Sequence, residues 1–458
     1  QKNWKGNTLL GGMVTSVNRA LDQPYLEDFM VRNAFTAGID FTQYFKNRLY
    51  YIDVKGMLSS LHGSAGAITA LQNSVAHYYQ RASSADYLGV DPTRRSLTGT
   101  GGYVKVGRKG NAKWNFSETF TWSSPGFDLN DMGYMKETDY LMNETEIMYR
   151  QTDIWKIFRY NAFTLSQKNM WNYGGTPFSN NASLRWQSMT MNRYEWDVKE
   201  TFAWNWLDSR LLRGGPDVRF GSYFLTSAKF NTDKAKRMMF MLKYEGDHNF
   251  EGNRFNTISP SLTFRLGNHV YLSGQLDYAW NTDEMQYVAT TSPLSSSSLT
   301  PYYYVMGHMD QKTYGLTLKL QVNVTPDISI QFYGAPFTSI AKYDDFKLAA
   351  DTKSHTFENR FQRIDPDHLT YADGVYTIGE GAGQMPFRNP DFRFNEFRSN
   401  LVARWEYLPG STLYFVWEHR MSNRDNWYSS GWGSNLDRMW GLPATNTFMI
   451  KMNYWFNL

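Results

Sequence analysis

Cysteine is absent from this chain of 458 residues, so neither a disulfide framework nor a thiolate metal site is open to it. Long hydrophobic runs are missing as well. No stretch reaches the roughly 18 consecutive apolar residues that a transmembrane helix requires. Charge of one sign is not concentrated: the net charge is +4, with no long basic run, which gives nucleic-acid binding no support. Catalytic signatures are also lacking, with no GxSxG, no HExxH and no phosphate-binding glycine loop. The eight histidines are scattered. His368 lies beside Asp365 and Asp367, and His248 beside Asp247, but neither pair comes with a nucleophile motif. These absences point away from an enzyme and call for no cofactor and no metal.

Large amphipathic rings, by contrast, are abundant. Phe, Trp and Tyr make up 17% of the chain, yet its mean hydropathy is only −0.55. A helical membrane protein cannot be built from such a composition. A transmembrane β-barrel can: it needs only alternation and aromatic girdles, and its polar lumen lowers the average. The C-terminal stretch makes the case most directly. Phe448, Ile450, Met452, Tyr454, Phe456 and Leu458 are apolar, whereas Lys451, Asn453 and Asn457 between them are polar. A period of two means one greasy and one wet face, the pattern of a barrel-closing last strand.

The same alternation recurs along the chain. Tyr314, Leu316, Leu318, Leu320, Val322 and Val324 alternate with Thr317, Lys319, Gln321 and Asn323. Val270, Leu272, Leu276, Tyr278 and Trp280 alternate with Ser273, Gln275 and Asp277, and comparable sets occupy 48–59 and 396–407. Short connections near 45–47, 107–112, 151–156, 192–193, 232–236, 266–269, 326–327 and 409–411 are interleaved with long ones near 20–32, 60–96, 124–136, 172–180, 207–216, 246–254, 281–310, 341–391 and 421–443. Tight turns at one end and long loops at the other are the habit of outer-membrane barrels. The expected fold is therefore all-β: one closed antiparallel transmembrane barrel over 1–458, with roughly eighteen strands. The competing fold is a large soluble β-sandwich or β-solenoid, whose turns would not sort by length.

A barrel of this size is wide enough for an aqueous channel unless it is plugged. Lys319, Gln321, Asn323, Arg398, Arg404, Glu406, Glu418 and Arg420 are then the candidate lumen-lining residues. Arginines and glutamates on neighbouring strands either orient a polar solute or pair into a ladder that stiffens the wall. Two carboxylates break the outward parity. Glu118 lies among Trp114, Phe116, Phe120 and Trp122, and Glu200 among Trp196, Val198, Phe202 and Trp204. Placement near the headgroups, a parity-reversing bulge or a covering partner would each accommodate them.

Three loops carry further signals. In 60–96, Ile68, Leu71, Val75 and Tyr78 recur at helical spacing, so a short helix is expected to fold into the mouth or pack on neighbouring loops. Loop 341–391 is too long for a plain connection, and its Asp365, Asp367 and Asp373 read as a solvated turn rather than a Ca²⁺ site. Loop 421–443 holds Trp427, Tyr428, Trp432 and Trp440 among Asn and Asp residues, a set suited to stacking on sugars as well as to packing the loop on the rim.

Four segments, Asn33–Asp40, Ala67–Gln80, Thr98–Gly107 and Ser124–Gly133, together resemble the barrel region of a Bacteroidota outer-membrane protein family of unknown function. The resemblance implies a barrel that usually follows a carbohydrate-binding-module-like β-sandwich, and implies no catalytic residues. No export signal is visible at Gln1, so a signal peptide and a preceding domain are expected to be absent from this chain. The combined expectation is an integral protein of a Gram-negative outer membrane, serving as a channel or uptake component for polar solutes, glycans among them. The alternative is a structural subunit of a larger export, assembly or uptake complex, its lumen plugged by its own loops. The expected partners are outer-membrane lipid and lipopolysaccharide, with other outer-membrane proteins, lipoproteins or glycans in addition.

Overall fold

The computed structural model describes residues 2–4, 6–81, 86–110, 112–204, 206–267, 269–294, 302–426 and 432–456. Its strands are β1 (Lys2–Trp4), β2 (Thr8–Asn18), β3 (Asn33–Phe45), β4 (Tyr50–His62), β5 (Ser96–Arg108), β6 (Trp114–Ser123), β7 (Tyr140–Gln151) and β8 (Phe158–Trp171). There follow β9 (Pro177–Thr190), β10 (Glu195–Trp204), β11 (Trp206–Asp208), β12 (Val218–Phe220), β13 (Tyr223–Asn231), β14 (Met238–Asn249), β15 (Arg254–Leu266) and β16 (Val270–Thr291). The remainder are β17 (Tyr303–Asn323), β18 (Ile328–Ala349), β19 (Phe361–Arg363), β20 (Leu369–Ala372), β21 (Val375–Ile378), β22 (Met385–Arg388), β23 (Phe392–Leu408), β24 (Ser411–Asp425) and β25 (Ala444–Asn453). Helices are few: α1 (Pro24–Glu27), α2 (Ala65–Gln72) and α3 (Trp432–Trp440).

Twenty strands form one antiparallel sheet, in which each long strand pairs with its neighbour in sequence. Eighteen of them run nine residues or more, long enough to cross a bilayer when tilted. The tight turns at one end adopt the left-handed backbone that matches strand twist: Asn47 (φ 56°), Lys156 (φ 54°), Arg193 (φ 61°) and Gly410 (φ 81°).

Register sorts the side chains onto two faces. Leu272, Leu276 and Tyr278 stand opposite Leu320, Leu316 and Tyr314, while Ser273 and Gln275 face Lys319 and Thr317. The apolar face continues through Phe332, Leu401, Trp417 and Phe448, four residues in one cross-strand row. Its side chains are exposed along the whole sheet, among them Ile39, Val106, Phe116, Leu165, Leu184, Leu276, Leu318, Phe415 and Ile450. A monomeric soluble protein seldom exposes a contiguous apolar patch beyond a few hundred Å². A face of this extent calls for cover by lipid or by protein.

Several expectations need correcting. The sheet is not closed: among the described residues β25 bonds only to β24, and β2 bonds to β3 and, at Thr8–Leu10, to β1. The β1–β2 hairpin takes the Thr8–Leu10 part of the edge that a closing strand would share, and Gly11–Asn18 of that edge carry no partner strand among the described residues. The described residues form 25 strands rather than eighteen, because the loops contribute the short strands β11, β12 and β19–β22 and the N-terminal residues contribute β1. The long loops placed at 281–310 and 341–391 are shorter than expected. Strands β16, β17 and β18 reach 22, 21 and 22 residues by continuing to pair above the point where apolar alternation stops. The last strand ends at Asn453, because its partner Thr412 adjoins the turn at Pro409 and Gly410 and no ladder remains. Tyr454 and Phe456 therefore lie beyond the strand, and Leu458 lies outside the described residues. Finally, no bulge explains Glu118 or Glu200, since β6 and β10 pair with both neighbours without a register shift.

Candidate functional site

The polar face of the sheet is where chemistry can happen, and two loops shape its upper end. Val17, Ala34, Leu61 and Leu97 form one cross-strand row at the top of that face, over β2 to β5. Helix α2 and its flanks pack on this row through Ile68 and Tyr79, making a buried core. Ser64 caps the helix by accepting a hydrogen bond from Ala67 N at 3.1 Å. The helix stops at Gln72, with Asn73 as its C-cap, short of the expected Val75 and Tyr78; Tyr78 itself has a positive φ of 47°. In the row below, Ser59 Oγ accepts from Asp128 N at 2.9 Å, so the 124–139 loop also lies on the polar face. Gly99 and Gly101 make room for it. A Cβ on Gly99 would stand 2.1 Å from Phe127 N, and one on Gly101 would stand 2.5 Å from the Phe127 ring.

Buried polar contacts lock these loops together. His77 meets Asp128 Oδ2 at 2.9 Å through Nε2 and the Pro125 carbonyl at 2.8 Å through Nδ1, with both side chains almost fully buried. Arg81 donates to Asp139 Oδ2 at 2.7 Å, and the Tyr87 hydroxyl donates to the same oxygen at 2.6 Å. Burial, reinforced by that carboxylate, pushes the Tyr87 phenol up, and burial pushes Tyr79 up to about 12. The other oxygen of Asp139 accepts from Tyr173 N at 3.0 Å, which brings in the 172–176 connection. Arg210 donates to the carbonyls of Val75 and Lys136 at 3.0 and 2.9 Å and so ties in the 206–222 segment. That segment is fastened in turn to the loop after β18 by Arg360, which donates to Arg219 O and to both oxygens of Glu251. The outer loops thus form one interlocked cap.

Below the cap lies a cavity of about 490 Å³ on the polar face of β7 to β10. Glu144, Lys168, Lys199 and Thr201 line it from the strands, and Asp208 and Arg210 close it from above. Cations and carboxylates alternate with hydroxyls and amides, an arrangement suited to transient hydrogen bonding with polar solutes.

The register places all eight expected lumen residues on this same polar face. Lys319, Tyr333, Asn400 and Glu418 form one row, and Asn323, Ser329, Arg404 and Tyr414 another. Gln321 faces Gln331 between these rows. Glu396 accepts from Arg398 at 2.8 Å and from Arg420 at 2.9 Å; it is the third member of a cluster for which the sequence had suggested only the two arginines. Arg404 pairs with Glu406 at 2.5 Å along its own strand. Both arginines of the Glu396 cluster remain more than half exposed, so the pairing does not hide them.

The other candidates are dispersed. Phe448, Ile450 and Met452 lie on the apolar face opposite Trp417, Phe415 and Leu413. Trp440 packs its ring on Phe397, also of the apolar face, with centroids 4.8 Å apart. Trp427, Tyr428 and the Trp432 side chain lie outside the described residues. Glu118 is held by Asn143 and by Thr145 at 2.6 Å, and Glu200 by Thr226 at 2.6 Å. Asp365 accepts from Asp367 N in a turn. His248 stacks on Phe224 with centroids 5.7 Å apart. No cluster of three metal-ligating side chains occurs among the described residues. Sequence reading missed the cavity lining, because Glu144, Lys168 and Lys199 look like ordinary wet-face residues until the cap is in place.

Residues 62–458 match a family described as Domain of unknown function (DUF5916). No curated protein matches the chain. Among solved structures, the siderophore receptor PirA from Acinetobacter baumannii is similar at 9% identity and a TM-score of 0.41, over 99% of this chain and 74% of that one. A mutant of the ferric enterobactin receptor PfeA from Pseudomonas aeruginosa, in complex with enterobactin, is similar at 7% identity and a TM-score of 0.44, over 98% and 74%.

Proposed function

We propose that this chain, which belongs to the DUF5916 domain-of-unknown-function family, is an integral outer-membrane β-barrel of a Gram-negative bacterium that takes up polar solutes through a loop-gated lumen. The observation that carries the reading is the sorting of faces. An exposed apolar face suits lipid, while the opposite face collects charge, two cavities and the inward-folded loops. In this reading the sheet closes in the membrane, and lipid and lipopolysaccharide surround the apolar face. The cap over β2 to β5 is the gate, and the role is non-catalytic. Glycans belong among the solutes to be tested, because the polar face offers hydroxyls, amides and both signs of charge.

The test is conductance in planar bilayers of the full chain and of a variant in which residues 64–94 are replaced by a short Gly-Ser linker. The gated reading expects small, infrequent openings from the parent and a conductance at least several-fold larger from the variant. Equal conductance from both would sink it.

A second reading is favoured by the edges of β25 and of β2 beyond Leu10, which carry no partner strand among the described residues. Unpaired backbone groups in lipid cost several kcal/mol each, so an edge that stays open must be paired by another chain. The protein would then be a structural subunit of a larger outer-membrane complex. Mild-detergent purification at native expression separates the two: a stoichiometric membrane partner supports the subunit, and a clean monomer removes it.

A further inference from the structure

The 206–222 segment, besides fastening the cap, builds a second cavity of about 360 Å³ that shares Trp206, Asp208 and Leu225 with the first. In the β11–β12 hairpin, Trp206 lies opposite Phe220. Tyr223 opens β13 beside both, its ring 5.7 Å from that of Trp206 and 6.1 Å from that of Phe220. The Tyr223 hydroxyl accepts a hydrogen bond from the buried Asn253 amide at 3.2 Å, which fixes the ring. Three rings from three elements therefore share the lining of one cavity. Asp208, Asp247 and Asp283, from β11, β14 and β16, also line it, with Phe255 and Arg254 of β15.

Among the described residues these three carboxylates form no direct ion pair, and Arg254 is the one basic residue on the lining; Lys347 and His308 act on Asp283, and His248 on Asp247, only through space. Two of them are only partly engaged. Asp208 Oδ1 accepts from the backbone N–H of Arg210 and Leu211, and Asp283 Oδ1 accepts from Met285 N. The lining thus holds three carboxylates against one arginine, with aromatic rings on its wall. An anion is repelled, and a neutral apolar ligand would leave carboxylates desolvated without a counter-charge. A bare Ca²⁺ or Mg²⁺ ion needs convergent oxygens and gains nothing from rings. A group that carries positive charge on an apolar surface satisfies both halves of the lining, since aromatic faces attract such cations and carboxylates supply the counter-charge.

We propose that this cavity binds an organic cation, a quaternary ammonium or protonated amine group seated against the Trp206, Phe220 and Tyr223 cluster and countered by Asp208, Asp247 and Asp283. A volume of about 360 Å³ lies at the small end of ligand pockets, which suits a compact headgroup. The site does not depend on transport, because binding can be read on purified protein whether or not the barrel conducts.

The experiment is isothermal titration of the full chain in detergent with choline, with benzyltrimethylammonium and with 3,3-dimethylbutan-1-ol, the neutral isostere of choline. At least one cation is expected to bind ten-fold or more tighter than the isostere. Trp206→Ala is expected to abolish that binding, and the near-isosteric Asp247→Asn and Asp283→Asn to weaken it several-fold each, with the thermal transition unmoved. The two asparagine variants keep the test decisive should Trp206→Ala fail to fold. Equal affinity for cation and isostere would overturn the proposal, as would the absence of binding by both cations or indifference to both asparagine variants.

Discussion

At the scale of single residues, the most demanding fit is that of Phe127 against two glycines of β5. A methyl group at position 99 would collide with backbone, at 2.1 Å from Phe127 N, whereas one at 101 would collide with the ring alone. Overpacking of this kind costs about 1–3 kcal/mol. Gly99→Ala is therefore expected to dislodge the 124–139 loop, read as faster amide exchange there, and Phe127→Ala will not restore it. Gly101→Ala is expected to be the milder change, and Phe127→Ala should relieve it. Relief of both, or of neither, would contradict the geometry. The Glu396 cluster gives a second residue-scale prediction. Glu396→Gln leaves Arg398 and Arg420 on the polar face without their shared carboxylate, so a conducting barrel should shift toward anion selectivity. Unchanged reversal potentials in a salt gradient would remove these residues from the conduction path. Which face each of these side chains occupies was legible from the period-two pattern alone. What the Phe127 ring meets was not, because it depends on a loop folding back across the ladder, and no local periodicity records that.

At the scale of elements, the 63–95 loop is the hub. Its Arg81 meets Asp139, which also takes the Tyr87 hydroxyl and Tyr173 N, so one buried carboxylate joins three outer connections. Removing one partner of a buried ion pair costs roughly 3–5 kcal/mol, because the other charge is left uncompensated. Arg81→Met is expected to loosen 86–95, 136–139 and 172–176 together, seen as protease cutting within these segments while the strands stay protected. Cutting confined to 86–95 would show that the latch is local. The sequence announced α2 through Ile68 and Leu71, and strand existence through alternation. It concealed the upper reaches of β16 to β18, where polar residues such as Thr282, Asp283 and Glu284 read as loop. There the chain stays extended because Met285, Val305, Met306 and Phe346 are buried against the 206–222, 350–363 and 369–388 segments. Tertiary packing, rather than a facial pattern, holds those strand ends. The cavity lined by Trp206 and Tyr223 was hidden for the same reason, since its walls come from elements distant in sequence.

At the scale of the whole molecule, everything rests on the two faces of the sheet meeting different media. The sequence provides the means to test this, because the absence of cysteine makes any introduced thiol unique. Single cysteines at Leu316, Thr317, Leu318, Lys319, Leu320 and Gln321 of β17 step alternately from the apolar to the polar face. Each variant would be reconstituted into liposomes and reacted with a charged, membrane-impermeant thiol reagent added to both sides, then probed with a lipid-confined quencher after fluorescent labelling. The account predicts strict alternation: positions 317, 319 and 321 react with the aqueous reagent, and positions 316, 318 and 320 are protected from it and quenched from the bilayer. Equal aqueous reactivity at all six positions would contradict it, and would mean that the exposed apolar face does not lie in lipid.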